Sequence, residues 1–127
     1  MNPLVQELTQ IKLDLKSLTV DSVFVNQFIR PYTYSNDKIV IDLSESISIG
    51  DTVNVKVYYH GHPFHEAWGG FHFSGDYAFN LGVGFESIPH NLGKTWFPCI
   101  DDFTDRATYD VIGTAETGLT ITAGGRL

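Results

Sequence analysis

The chain has 127 residues, a length that suits one domain built round one core. Apolar residues make up 43% and aromatics 13%, which excludes a chain too poor in hydrophobic surface to fold. With 15 acidic against 8 basic residues the formal charge is −7, so the basic footprint of a nucleic-acid binder or an anionic-membrane binder is missing.

Taken in chain order, the elements read as β almost throughout. Residues 3–10 have room for one helical turn. Ile11, Leu13 and Leu15 then alternate with Lys12, Asp14 and Lys16, the period-two pattern of a half-buried strand. Val20, Val23 and Val25 with Phe24 give a second strand around a short break. Ser35-Asn36-Asp37 reads as a turn, because Asn and Asp tolerate the backbone angles that turns need. Ile39, Ile41 and Leu43 alternate with Val40 and Asp42, and Gly50-Asp51 marks the next turn. Val53, Val55, Val57 and Tyr59 alternate with Asn54, Lys56 and Tyr58 in the cleanest strand of the chain. Turn signals recur about every 8–12 residues, the spacing of an all-β sandwich or barrel. No repeat, linker or low-complexity tract divides the chain, so residues 1–127 read as one β domain.

From residue 61 to 93 the pattern changes. Seven glycines interrupt an aromatic-rich stretch, which predicts long hairpins or loops with short strands near 70–74 and 77–81. Loops carry function more often than core strands do, so a partner or substrate would be met here. A short turn of helix is also expected near 101–106.

The same stretch holds the candidate chemistry. His60, His62, His65 and His72 fall close together, and His62-Pro63-Phe64-His65 has H-x-x-H spacing. A metal site on His60, His62 and His65, with an oxygen from Glu66, is one reading, since zinc takes three or four such ligands. The other is a loop whose histidines are exposed or satisfied by backbone. His65-Glu66-Ala67-Trp68-Gly69 is not a catalytic H-E-x-x-H: the second histidine is replaced by Gly69, and Gly69-Gly70 is unsuited to a helix. Gly82-Val83-Gly84-Phe85-Glu86-Ser87 lacks the third glycine of a dinucleotide fingerprint, and no serine sits in a G-x-S-x-G elbow. No catalytic residue is therefore assigned.

Cys99 is the only cysteine, so no intrachain disulfide forms. Its aromatic and apolar neighbours suggest a buried small hydrophobe rather than a reactive thiol. Around it, Trp96-Phe97-Pro98-Cys99-Ile100 reads as a core strand ended by Asp101, or as an interface segment, since Trp96 and Phe97 bring large buried areas. No run approaches the ~18 apolar residues of a membrane span. Met1-Asn2-Pro3 lacks the basic and apolar parts of a signal peptide, as in a cytosolic protein or a chain that starts after a removed leader.

Lys94-Thr95-Trp96-Phe97-Pro98-Cys99-Ile100-Asp101-Asp102, followed by Arg106-Ala107-Thr108-Tyr109-Asp110, resembles the R-x-W-F-P-C-x-D-x-P…K-A-T-F-D signature in the amino-terminal β domain of M1-family zinc aminopeptidases. Weaker blocks agree in order. Residues 13–23 resemble the L-D-x-x-x-L-x-I-x-x-V strand pair, 50–61 the G-E/D…V-x-I-x-Y-x-G strand, 69–73 the following hairpin and 118–124 the ending of the domain. Together they span nearly the whole chain.

The resemblance implies a largely antiparallel, saddle-like β-sandwich, incomplete at both ends, belonging to a longer chain. It implies that zinc, the peptide substrate and the catalytic machinery belong to a catalytic domain beyond these residues, so that this piece alone hydrolyses nothing. Trp96, Phe97, Pro98 and Asp101 would then anchor the core or the domain interface. In the family, a Gln or Glu ahead of the tryptophan block binds the substrate amino group. Pro89 stands near that position here, and Glu86, three residues before it, is the available carboxylate. Unpaired strand edges would favour self-association. The alternative is a free-standing module that binds carbohydrate or peptide through Tyr58, Trp68, Phe71 and Tyr77.

Overall fold

The alternation of apolar and polar side chains resolves into paired strands in the computed structural model, which describes residues 7–124. Strand β1 (Glu7–Asp14) lies antiparallel to β5 (Lys38–Ser48), and β5 pairs in turn with β4 (Tyr32–Ser35). Because strand side chains alternate faces, Ile11 and Leu13 share a face, and the register sets them opposite Ile41 and Ile39. A second antiparallel sheet has the order β3-β2-β6, from β2 (Thr19–Val25), β3 (Phe28–Ile29) and β6 (Val55–His60). The two sheets share one core of Ile11, Leu13, Leu15, Leu18, Val20, Val23, Val25, Ile39, Ile41 and Val53. The fold is all-β and sandwich-like.

Local chemistry explains the connections. The hairpin between β4 and β5 turns through Asn36 and Asp37 at φ 51° and 58°, the two positive angles that a two-residue primed turn requires. Asn26 and Gln27 do the same between β2 and β3, at 48° and 72°. The break expected within the second strand is a register shift between Val20 and Ser22 where β2 meets β6. Tyr32 Oη stitches the two sheets by donating to the Val20 carbonyl of β2 at 2.9 Å, and Tyr34 Oη donates to that of Leu15, just past the end of β1, at 3.1 Å.

A third sheet follows, with order β7-β8-β9, from β7 (His65–Glu66), β8 (Gly69–Ser74) and β9 (Tyr77–Asn80). Gly70 has φ +79°, and a side chain there would run into the Phe64 carbonyl and His65 Cα. That close approach lets the Phe71 N–H donate to Phe64 O at 3.1 Å.

Two helical expectations are corrected. Of residues 3–10, 3–6 lie outside the described residues and 7–10 are strand, because Glu7 and Leu8 pair with Ser48 and Ile47. Near 101–106 there is a turn, not a helix. The Asp102 carboxylate accepts both Thr104 N and Thr104 Oγ1, at 2.8 and 2.6 Å, and the Asp105 N–H donates to Asp102 O at 3.1 Å, closing one turn that is not continued. Beyond it, residues 107–124 are exposed and lie outside any strand. Among the described residues, no helix is long and apolar enough to cross a membrane.

Candidate functional site

Loop 82–92 leaves β9 and returns to the tryptophan block, and its two ends are zipped together. Gly84 N donates to His90 O at 2.7 Å and Leu92 N to Gly82 O at 2.8 Å, around an antiparallel bridge between Val83 and Asn91. The base of the loop is packed without space. Leu92 is 1% exposed, and a Cβ on Gly69 would stand 2.5 Å from Gly84 Cα.

The tip is held by a side chain from another element. Glu66, at the end of β7, is 8% exposed. Its carboxylate accepts the backbone N–H of Glu86 at 2.9 Å, that of Ser87 at 2.9 Å, and Ser87 Oγ–H at 2.6 Å. The Ser87 hydroxyl, and after it the Glu86 amide, hold the Glu66 carboxyl below its ordinary value, because a carboxylate gains from donors that a carboxylic acid cannot use as well. The tip then faces outward: Phe85 is 78% and Ile88 90% exposed, and Glu86 and Pro89 are exposed between and beside them. The Ile88–Pro89 peptide is cis. An exposed carboxylate on a tip whose backbone is held, with Phe85 and Ile88 exposed on the same tip, can receive a cation that carries its own apolar group.

Behind the loop, the tryptophan block is built as a corner. A 3₁₀ turn, Gly93–Thr95, precedes it, with Thr95 fully buried and its hydroxyl donating to Leu92 O at 2.7 Å. Trp96, Phe97 and Pro98 are half-buried. Trp96 and Phe97 meet edge to face with centroids 4.9 Å apart, and Phe71 and Tyr109 each extend the cluster at 6.0 Å. Tyr59 Oη donates to the Trp96 carbonyl at 2.8 Å, tying β6 to the block. Trp96 Nε1 is buried without a hydrogen-bond partner.

Cys99 makes a two-way bridge with Asp14 at 2.6 and 3.1 Å, so the segment touches the end of β1 but does not run on as a core strand. Asp101 is structural: its N–H donates to Asp14 Oδ2 at 3.1 Å, its carboxylate accepts Lys94 N at 3.3 Å, and its carbonyl accepts Asn91 Nδ2. Burial, then the nearby Asp101 carboxylate, pushes the Cys99 thiol up to about 12. It is half-buried rather than fully so.

The histidines point to separate partners. His60 Nδ1 lies 2.9 Å from Asp21 Oδ2, His62 packs on Phe73 with centroids 4.7 Å apart, and His65 packs on His72 at 5.0 Å. Among the described residues, no group of three or more His, Cys, Asp or Glu side chains is placed to hold a metal ion. His60, His62 and His65 are thus not gathered into a zinc site, and Glu66 is engaged by the loop. Sequence reading missed that role of Glu66 and Ser87, whose partnership crosses 21 residues and has no local pattern.

A scan against protein-family models matches none, and a search of curated proteins finds none. Solved structures do match. A variant of a two-domain M1 zinc metallopeptidase bound to L-arginine superposes with TM-score 0.63 at 22% identity over 76% of this chain. Two structures of an M1 zinc metallopeptidase from Deinococcus radiodurans follow. A variant bound to a Tyr-Ser-Ala substrate gives TM-score 0.56 at 20% identity, and a further structure gives 0.54 at 21%, each over 76% of this chain. In all three, the match spans 22% of the other chain. The likeness is one of fold: this chain folds as about a fifth of an M1 zinc metallopeptidase does.

Proposed function

We propose that this chain is the amino-terminal, non-catalytic β domain of a longer M1-like zinc aminopeptidase, supporting its catalytic domain and forming one wall of the substrate cleft. The observation that carries the reading is the shared fold with a fifth of several M1 zinc metallopeptidases. The tryptophan block supports it, because the residues that resemble the family signature form one packed corner beside loop 82–92.

In this reading Glu86 contributes to substrate binding. Its carboxylate would receive the α-ammonium of a peptide, with Phe85 and Ile88 along the first side chain. The exposed apolar side chains of the third sheet and the loop, Trp68, Phe73, Tyr77, Phe85 and Ile88, would pack on the missing domain or line the cleft. The residues described here do not fit zinc, so a metal that polarises the scissile carbonyl would be held by the catalytic domain. This chain's own part is to bind, orient and exclude water.

A free-standing module for sugars or peptides is the second reading, favoured by the exposed rings of Tyr58, Trp68 and Tyr77. Phe71, also expected on that surface, instead packs in the cluster with Phe73 and Trp96. Expressing the whole reading frame and assaying hydrolysis of L-leucine p-nitroanilide decides between them. Hydrolysis abolished by chelation and restored by zinc supports the peptidase reading. A zinc-free, inactive product that is stabilised by an oligosaccharide or peptide supports the module.

A further inference from the structure

Glu66 is a buried carboxylate that neither the core nor the aromatic cluster requires. An apolar side chain would fill its place beside Leu92 without the cost of burying a charge. Instead both of its oxygens are spent on the loop. Oε1 accepts Glu86 N, and Oε2 accepts Ser87 N and Ser87 Oγ. Both residues lie within the bend 85–89 that forms the exposed tip, and Glu86 is the acid proposed above as the ammonium contact. Gly84 is shaped to the same end, since any Cβ there would overlap Glu66 Oε1. The loop ends are already fixed by their own backbone bonds. The Glu66 bonds therefore act on the one part that zipping leaves undetermined, the direction of the tip.

We infer that Glu66 is a positioning residue: by binding the backbone of Glu86 and Ser87 it sets where the Glu86 carboxylate stands relative to the substrate ammonium. This rests on the reading of Glu86 as the ammonium contact. Such a residue acts before substrate arrives, by removing the freedom that the loop would otherwise lose on binding.

The test uses the full-length protein, with L-leucine p-nitroanilide as probe. Glu86→Ala removes the carboxylate altogether, and KM rises by about tenfold, the loss of one charge-assisted hydrogen bond. Glu66→Gln is nearly isosteric but places an NH₂ against an N–H or O–H donor, so part of the set must open. KM rises several-fold while kcat changes less, and Ser87→Ala moves KM the same way by a smaller factor. The double variant Glu66→Gln with Glu86→Ala is no worse than Glu86→Ala alone, because Glu66 acts only through Glu86. Hydrogen exchange of residues 85–88 speeds up in Glu66→Gln.

Glu86→Ala at wild-type KM overturns the ammonium reading, and this inference with it. With Glu86→Ala impaired, this inference alone is overturned if Glu66→Gln keeps wild-type KM or if the two losses multiply in the double variant. A merely structural Glu66 would multiply with Glu86→Ala and leave hydrogen exchange at 85–88 as in wild type. If Glu66→Gln fails to fold, the Ser87→Ala series decides by the same criteria.

Discussion

Gly84→Ala tests the packing of the loop at its tightest point. A Cβ there would stand 2.6 Å from Leu92 Cδ1, 2.5 Å from Glu66 Cδ, and closer still to Glu66 Oε1. Gly84 is not among the glycines with positive φ, so its backbone suits alanine, and by the usual entropy argument the change would stabilise by about 0.4–1 kcal/mol. Steric overlap opposes this and costs about 1–3 kcal/mol in a packed site. The upper part of that range applies, because neither obstacle can yield cheaply. Leu92 is enclosed at 1% exposure, and the Glu66 carboxylate can move only by leaving its three donors. The net effect is a loss of about 2 kcal/mol, or a fall of roughly 8 °C in melting temperature for a chain of this size. Thermal unfolding followed by circular dichroism reads the stability, and hydrogen exchange at 85–88 reads the loop. Gly124→Ala is the control, since Gly124 has neither positive φ nor a neighbour within 4 Å, and its melting temperature stays within a degree or so of wild type. A Gly84→Ala protein that melts at or above wild type, with unchanged exchange at 85–88, would refute the packing argument.

Other expectations follow from individual contacts. Glu66 is held below its ordinary 4.5 in the folded state, so its contribution is complete above that value and fades as pH falls through the folded one. Melting temperature should therefore fall less on acidification from pH 6 to pH 3 in Glu66→Gln than in wild type, and equal falls would count against the hydrogen bonds. At a thiol pKa of about 12, about one Cys99 in ten thousand is thiolate at pH 8. Iodoacetamide should leave it unlabelled until the protein unfolds, as mass spectrometry would show. Tyr59→Phe removes the donor to the Trp96 carbonyl and should cost about 1 kcal/mol, measured by urea unfolding. Leu15→Ala, at a fully buried site, should cost about 2–5 kcal/mol, whereas Ile88→Ser, at 90% exposure, should leave stability within about 0.5 kcal/mol.

Much of the sandwich was legible because its determinants are local. Period-two alternation marked Ile11 to Leu15 and Val53 to Tyr59, and Asn36-Asp37 fixed a hairpin whose two positive φ angles few other residues accept. What failed was also local. Residues 7–10 carry no strand alternation of their own, and they are extended because β5 continues to Ser48 and supplies partners. The short strand β4 follows Pro31 and was not foreseen; its place comes from the Asn36-Asp37 turn and from two tyrosines that pack against the core and bond the Val20 and Leu15 carbonyls. The candidate site is legible in the types of its residues and not in their partners. The glycine-rich loop and Glu86 were singled out, and the histidine cluster drew notice for its spacing alone. Glu66 was read in the frame of a metal ligand because the sequence shows its neighbours in the chain, whereas its three donors lie 20 or 21 residues away.

The central claim is that this chain serves a zinc peptidase whose metal lies elsewhere in the same polypeptide. Reading the gene beyond the codon for Leu127 tests it most directly. The account predicts a continuous frame that encodes His-Glu-x-x-His, two histidines one helical turn apart with the glutamate as base, and a further glutamate downstream as a zinc ligand. A stop codon at that point, or a continuation without such a helix, would contradict it.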